Sequence, residues 1–343
     1  MSDGTREFRT PDAARVIEQV AERYGVRPAA LVAVGHEVIP GRSVYRCEFA
    51  NGRAWLLYVY AQQATMPTWL GGGSPRDWLR GRSALLTWLE HLGYPAPRVI
   101  PHRDVAALAD HSDHYMLALS YIPGKLTFLS RDDLRQLGAL LGWLHALPTD
   151  GTQSRPLPHS WWYPIEGALA PSLAGLDAVA RNVPARWQAL HASFRDDLRA
   201  VVKADLPTTL IHGDCHPGNA ILTPEGSVTL IDWECAGMGA AVLDLGGLLT
   251  DGQPDPAPGA AIVVDPVGVA AVMEGYRSQR ALTQVEHVAL PLACRFTVAF
   301  QGAVRFLWAC EGGWSDRIDR SLARLQVRYD AAKQAAVLAQ DMF

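Results

Sequence analysis

The chain has 343 residues, 49% apolar and 19% charged, with a formal net charge of −4, ordinary for a globular protein and enough for two lobes with one or two cores. No basic stripe is present to neutralise phosphates, no apolar run reaches 18 residues, and the start from Met1 to Glu7 is polar, so nucleic acid, a membrane and a signal peptide are not expected. Cys47, Cys215, Cys235, Cys294 and Cys310 are scattered, odd in number and without a C-x-x-C pair, which predicts a reduced, cytoplasmic setting with neither a disulfide framework nor a zinc site.

The first helix is punctuated by Thr10 as N-cap, Pro11 in its first turn, apolar Val16, Ile17, Val20 and Tyr24, and Gly25 past its end. Strands are expected over 31–39, 43–49 and 54–60, with Asn51-Gly52 as a hairpin signal between the last two. A second helix opens at Ser74 as N-cap, followed by Pro75 and Asp77, and ends at Gly93 before Pro95 and Pro97. An almost wholly apolar strand over 115–119 runs into Ser120-Tyr121-Ile122-Pro123-Gly124. Beyond it the period becomes helical: Ser130 caps a helix carrying Leu134, Leu137, Leu140, Leu141 and Leu144, stopped by Pro148. Helices fill the C-terminal part, interrupted by a Pro/Asp/Ala-rich loop over 251–265.

The chemistry concentrates in His212-Gly213-Asp214-Cys215-His216-Pro217-Gly218-Asn219, followed after a short hairpin by Ile231-Asp232-Trp233. The five residues from Asp214 to Asn219 make one compact loop, and the thirteen from Asn219 to Asp232 fit a two-strand excursion that turns at Glu225-Gly226. Apolar runs 209–211 and 228–231 flank the loop as short buried strands. In this pattern Asp214 stands where a substrate hydroxyl can give up its proton. Asn219 and Asp232 present two hard oxygens to Mg²⁺ carried by nucleotide phosphates. Turn residues of these types also occur for purely local reasons, but here the strand-loop-strand context accompanies them.

This stretch resembles the aminoglycoside phosphotransferase and choline kinase-like superfamily, whose pattern H-G-D-x-x-x-x-N followed by I-D-W/F is matched position for position. The resemblance implies an α+β, protein-kinase-like two-lobed fold. A small, mainly antiparallel β N-lobe with helices would cover residues 1–124, and a larger, mainly helical C-lobe residues 125–343, with a hinge near 120–125. It implies ATP or GTP as phosphoryl donor and Mg²⁺ as cofactor. Gly35 and Gly41 bracket the turn where the superfamily's phosphate-covering loop falls, and Ser43 offers a hydroxyl beside it. Main-chain groups near Ser120 and Ile122 stand where the adenine edge would be bonded.

One departure is informative. Tyr58 occupies the strand position of the superfamily's phosphate-binding lysine, and Arg82 that of its partner glutamate on the Ser74 helix. Trp78, Arg82, Leu85 and Leu89 fall on one helical stripe, which turns Arg82 inward as a relocated cation; a snorkelling arginine fits the same spacing. Three functions follow: a kinase of a small hydroxylated molecule, a Ser/Thr kinase of a peptide in a natural-product pathway, or a nucleotide-binding pseudokinase. Residues 1–125 hold 14 Lys+Arg against 12 Asp+Glu, and the remainder 17 against 23. This acidic second half favours a cationic acceptor and equally fits a solvated acidic surface. Trp161-Trp162 and the 251–265 loop would face the acceptor, with packing the commoner role for paired tryptophans.

Overall fold

The computed structural model describes residues 12–34, 41–66, 73–102, 109–111, 114–126, 130–149, 159–160, 169–251 and 261–342. Thr10, Pro11, Gly35, Trp161, Trp162 and the centre of the 251–265 loop lie outside these residues. The chain divides into two compact units, residues 1–123 and 124–343, one residue before the expected boundary.

In the first unit, α1 (Ala13–Tyr24) is capped by Asp12, whose side chain accepts from the Ala14 amide, rather than by Thr10; Asp is as good a cap and stands directly at the first turn. Strands β1 (Ala30–Ala33), β2 (Arg42–Glu48) and β3 (Ala54–Ala61) are followed by α2 (Pro75–His91), β4 (Ala109–His111) and β5 (His114–Ser120). They form one antiparallel sheet in the order β1-β2-β3-β5-β4. The β2–β3 hairpin closes through the Gly52 amide on the Phe49 carbonyl, with Gly52 at φ 78°, a left-handed position that suits glycine.

The pleat gives the sheet two faces. Tyr45, Cys47, Trp55, Leu57, Val59, Met116 and Ala118 make one, packed against Val16 and Val20 of α1. Each fully buried side chain of this kind contributes about 1.5–3 kcal/mol. The pairs Val44↔Tyr58 and Tyr58↔Leu117 put Tyr58 on the opposite face. Tyr60 shares that face and meets Trp78 of α2, ring centroids 5.7 Å apart. Ser74 caps α2 by accepting from the Asp77 amide, as its sequence signals.

The second unit begins with β6 (Lys125–Leu126) and α3 (Arg131–Ala146), then α4 (Leu169–Val179), α5 (Gln188–Lys203) and β7 (Thr208–Ile211). Next come β8 (Ala220–Leu222), β9 (Val228–Leu230), β10 (Gly237–Ala240), α6 (Ala241–Asp251), α7 (Pro266–Arg277), α8 (Gln284–Gly312) and α9 (Asp316–Gln340). Asp251 therefore ends a helix instead of opening a loop. β7 pairs with β10, a strand the sequence did not announce, and β6, β8 and β9 form a second small sheet. The apolar helix α8 packs on α4, α5, α6 and α9. By length and composition its stretch 284–310 could cross a membrane, although Glu286, Arg295 and Arg305 interrupt its apolar residues. In the fold it is the core helix, with Phe296, Phe300 and Phe306 buried. Its Arg295 grips Asp197 of α5 through two bonds of 3.0 and 2.8 Å, and Tyr329 of α9 donates to the same carboxylate at 2.5 Å.

Candidate active site

The pairing Gly237↔Ile211 brings the segment leaving β7 and the segment entering β10 to the same end of their ladder. The β8–β9 hairpin opens there too: Ala220 pairs with Leu230, and the Ile231 amide donates to the Asn219 carbonyl at 2.9 Å. Asn219 and Asp232 thus flank one open hairpin end, with Asp214 in the loop beside them. Two short ladders gather the loop and the residue past the hairpin at one end.

The loop is fixed from within. Gly213 has φ 77°, and a Cβ there would lie 2.5 Å from the Cys235 carbonyl oxygen, so no other residue fits without displacing backbone. The His212 amide donates to Asp244 Oδ2 at 2.7 Å and the Gly213 amide to Asp244 Oδ1 at 3.1 Å. His212 Nε2 donates to the Ile231 carbonyl at 2.9 Å, and its ring meets Trp233 edge-on at 4.7 Å. His212 therefore joins the base-bearing loop to the segment carrying Asp232. Burial lowers its pKa, so it makes these contacts as neutral imidazole.

Asn219 Nδ2 donates to the Asp214 carbonyl at 3.0 Å and to Asp214 Oδ2 at 2.8 Å. Both partners only accept, so the amide is oriented by the bonds and its Oδ1 points away from Asp214. His216 Nδ1 accepts from the Gly218 amide at 3.1 Å, which leaves the proton on Nε2, 3.8 Å from Asp214 Oδ2. Burial alone would raise the Asp214 pKa; the neighbouring His216 Nε2–H, then His212 and the Asn219 bond, more than offset it and hold the carboxyl below its usual value. The side chain remains 46% accessible. An ionised, reachable carboxylate is what a hydroxyl proton needs.

Asp232 has φ 61°, the single positive value at a non-glycine among the described residues. Such a conformation costs about 1–3 kcal/mol and persists where the surroundings enforce it, here the turn into Trp233 whose indole donates to the Leu230 carbonyl at 3.0 Å. The donor set of Asn219 Oδ1 and the Asp232 carboxylate is hard oxygen, which fits Mg²⁺ held by one or two protein groups with phosphates completing its shell. Among the described residues no group of three or more His, Cys, Asp or Glu side chains forms a metal cluster, so a dedicated all-protein cage is absent there. Cys215 and Cys235 are buried, as small apolar filling would be.

A cleft next to Asp214 is lined by Gly213, Cys215, Leu243, Asp244, Gly247, Asp251 and Thr297. A Cβ on Gly247 would lie 3.0 Å from Thr297 Oγ1, so these two residues meet closely in the wall of the cleft. Asp251 is held by Arg328 of α9, which also donates to Gln301 at 3.3 Å.

The remaining candidates lie in the first unit. Arg82 is 5% exposed, and its guanidinium carbon lies 5.4 Å from the Trp78 ring centroid, so nearly the whole side chain is buried within the first unit. Tyr58 and Ser43 stand on opposite faces of the sheet, since Ser43 pairs with Val59 and bonds to Tyr45 on the α1 side. They cannot offer side chains to the same phosphate. The Ser120 amide donates to the Arg98 carbonyl at 2.7 Å, and its hydroxyl accepts from the Arg98 amide at 2.8 Å. Its N–H is thus committed within the sheet, leaving its carbonyl as the group to meet an adenine edge. Ile122 is half-buried after the strand.

Asp244 and His145 went unread in the sequence. Each is a lone polar residue in an apolar helical run, in 241–249 and in the Leu134/Leu137/Leu141/Leu144 stripe, and that isolation was the signal.

The model of the phosphotransferase enzyme family matches residues 54–278. A homoserine kinase of Caulobacter vibrioides is 26% identical over 267 residues, 74% of this chain and 76% of that protein. Among solved structures, an amicoumacin kinase in complex with AMP-PNP, Ca²⁺ and Ami has a TM-score of 0.69 at 14% identity, covering 94% of each chain. A microcompartment-associated aminopropanol kinase has a TM-score of 0.59 at 18% identity, covering 95% of this chain and 98% of that one. The fold is the protein-kinase-like α+β fold that the loop pattern implied. The chain belongs to the phosphotransferase enzyme family, and its reaction is transfer of phosphate to a hydroxyl group of a small molecule.

Proposed function

We propose that the chain is a nucleotide- and Mg²⁺-dependent kinase of a small amino alcohol or hydroxy amino acid. Asp214 accepts the hydroxyl proton, and Asn219 and Asp232 hold the metal. The single observation that carries this reading is the Asp214 carboxylate, ionised and oriented by Asn219, opening onto the cleft lined by Asp251 and Thr297. Bound Mg²⁺ would neutralise charge on the phosphates of ATP or GTP. Asp251 Oδ2, the oxygen that Arg328 leaves untaken, would accept from an acceptor ammonium and Thr297 would bond a polar group beside it, which fits the acceptors for which the homoserine and aminopropanol kinases are named. From the first unit, Arg82 supplies the phosphate-binding cation, and the Ser120 carbonyl and Ile122 amide meet the base. Tyr58 contributes shape and no charge. The five free cysteines suit a cytoplasmic setting.

Acceptor-dependent release of ADP or GDP, measured with L-homoserine and short amino alcohols against alcohols lacking the amine, tests the acceptor class. Asp251→Asn is expected to raise KM for the amino acceptor about tenfold while leaving KM for nucleotide unchanged. Equal turnover of amine-free alcohols would refute it. Thermal shift with nucleotide, with and without Mg²⁺, tests the metal assignment: Asp232→Ala is expected to abolish the metal-dependent part, and its retention would remove Asp232 from the site.

A further inference from the structure

The bonds behind Asp244 continue through the second unit as one chain with a defined direction. Asp244 is a carboxylate and only accepts, so His145 Nε2, 3.2 Å from Oδ2, carries the proton. His145 Nδ1 is then the acceptor of the neutral ring, and the Tyr276 hydroxyl 2.9 Å away donates to it. That hydroxyl oxygen accepts from Arg280 Nη1 at 2.9 Å, and Arg280 Nη2 donates to Glu286 Oε1 at 2.8 Å. Glu286 Oε2 accepts from the Thr283 amide at 2.8 Å and hydroxyl at 3.0 Å, closing the capping box at the start of α8. His145, Asp244, Tyr276 and Glu286 are all buried. Every donor in this line has one acceptor, and reversing any one bond leaves a buried hydrogen or lone pair unmatched.

We propose that Tyr276 and Arg280 are positioning residues for phosphoryl transfer: by fixing His145 as the Nε2–H tautomer they fix Asp244, and through it the His212–Gly213 backbone that aims Asp214. Neither touches the reacting atoms. The groups facing the His145 ring agree with a neutral imidazole. Burial lowers its pKa first of all; Asp244 on α6 and Glu286 on α8 oppose this, and the Arg280 charge reinforces it. The Tyr276 ring stands edge-on to it at 5.6 Å. From β7, the Thr209 hydroxyl bonds the His145 carbonyl and not the ring. Protonating Nδ1 would displace the Tyr276 hydrogen from its one acceptor and weaken the hold on Asp244.

Tyr276→Phe removes one hydroxyl and keeps the buried ring. With L-homoserine as probe acceptor, or water where no acceptor is turned over, kcat is expected to fall about 3- to 10-fold with KM for nucleotide within twofold, and the acid limb of kcat to move up in pH. Amide hydrogen exchange needs no acceptor: the His212 and Gly213 amides are expected to exchange faster in Tyr276→Phe, with those of α5 and α9 unchanged. Arg280→Lys is expected to retain more turnover than Arg280→Gln. A lower Tm with unchanged kcat, acid limb and His212/Gly213 exchange would make the chain of bonds merely structural and overturn the proposal. If Tyr276→Phe does not fold, the imidazole ¹⁵N shifts of the wild type decide. His145 as Nδ1–H, or protonated at neutral pH, overturns the proposal; Nε2–H across that range supports it.

Discussion

In the loop from His212 to Asn219 each turn of backbone is held by a named side chain: Asp244 takes two amides, His212 ties the loop to Ile231, and Asn219 returns to Asp214. In the first unit, Tyr58 and Leu57 are placed by the pleat and packing of β3, and Ser120 by backbone bonds to Arg98. The two regions should therefore respond differently to substitution. Where packing does the holding, a lost side chain costs stability and spares the chemistry of the molecules that remain folded. Where directional bonds do the holding, a small chemical change should cost turnover beyond its cost in stability.

Leu57→Ala tests the packed side, and the largest loss is expected there: about 2–5 kcal/mol of stability, read by denaturant unfolding, with kcat per folded molecule unchanged. A fall in kcat without loss of stability would contradict the division. Arg82→Ala is expected to weaken nucleotide binding by about 1.5–3 kcal/mol in a direct titration. Arg82→Lys should recover only part, because a planar fork grips two oxygens where an ammonium grips one, and Tyr58→Phe should do little. Unaltered affinity in Arg82→Ala would leave Arg82 a buried structural cation stacked on Trp78.

Asp244→Asn tests the bonded side. An amide can accept one of the two loop N–H groups and presents its own hydrogens to the other, a cost of about 1–3 kcal/mol. Its kcat should drop further than that of Leu57→Ala even where the two are equally destabilised; equal kcat would show the loop holding itself. The smallest effect concerns pH. His145 and His212 are fully buried, and burial sets their folded pKa values below 6.5. The folded state therefore binds fewer protons than the unfolded state, so this part of the stability is full above about 6.5 and is lost as pH falls below it. A Tm that stays level down to pH 5 would contradict the neutral assignment of both rings.

The sequence was most legible where chemistry demands particular side chains at fixed intervals. Spacing singled out Asp214, Asn219 and Asp232 as candidates, and the structure bonds Asn219 to Asp214 and sets Asp232 just past the hairpin that Glu225-Gly226 announced. Helix starts at Ser74 and Ser130 were legible for the same reason, since a cap needs a short oxygen at one place. Groups that act through backbone were not. The Ser120 amide is spent on Arg98, a contact 22 residues away that no local pattern encodes. The face on which Ser43 lies, opposite Tyr58, was not legible, because glycine spacing gives a turn without giving the face on which the next residue points. β10 is only four residues long, Gly237–Ala240, and two of them are glycine, which hides a strand that the pairing with β7 nevertheless requires. Asp251 was read as opening a loop over the acceptor and instead ends α6, and Asp244 on the same helix was not read at all; both line the cleft.

The central claim is that Asp214 receives the acceptor proton while Asn219 and Asp232 serve the metal. The most direct measurement is steady-state phosphoryl transfer by Asp214→Asn, paired with nucleotide titration of the same protein in the presence of Mg²⁺. Nucleotide affinity is expected to stay within a few-fold of wild type while kcat falls by about 10²-fold or more, because a proton acceptor has been removed and a hydrogen-bonding shape retained. Near-normal kcat in that variant, with an acceptor the wild type phosphorylates, would contradict the account.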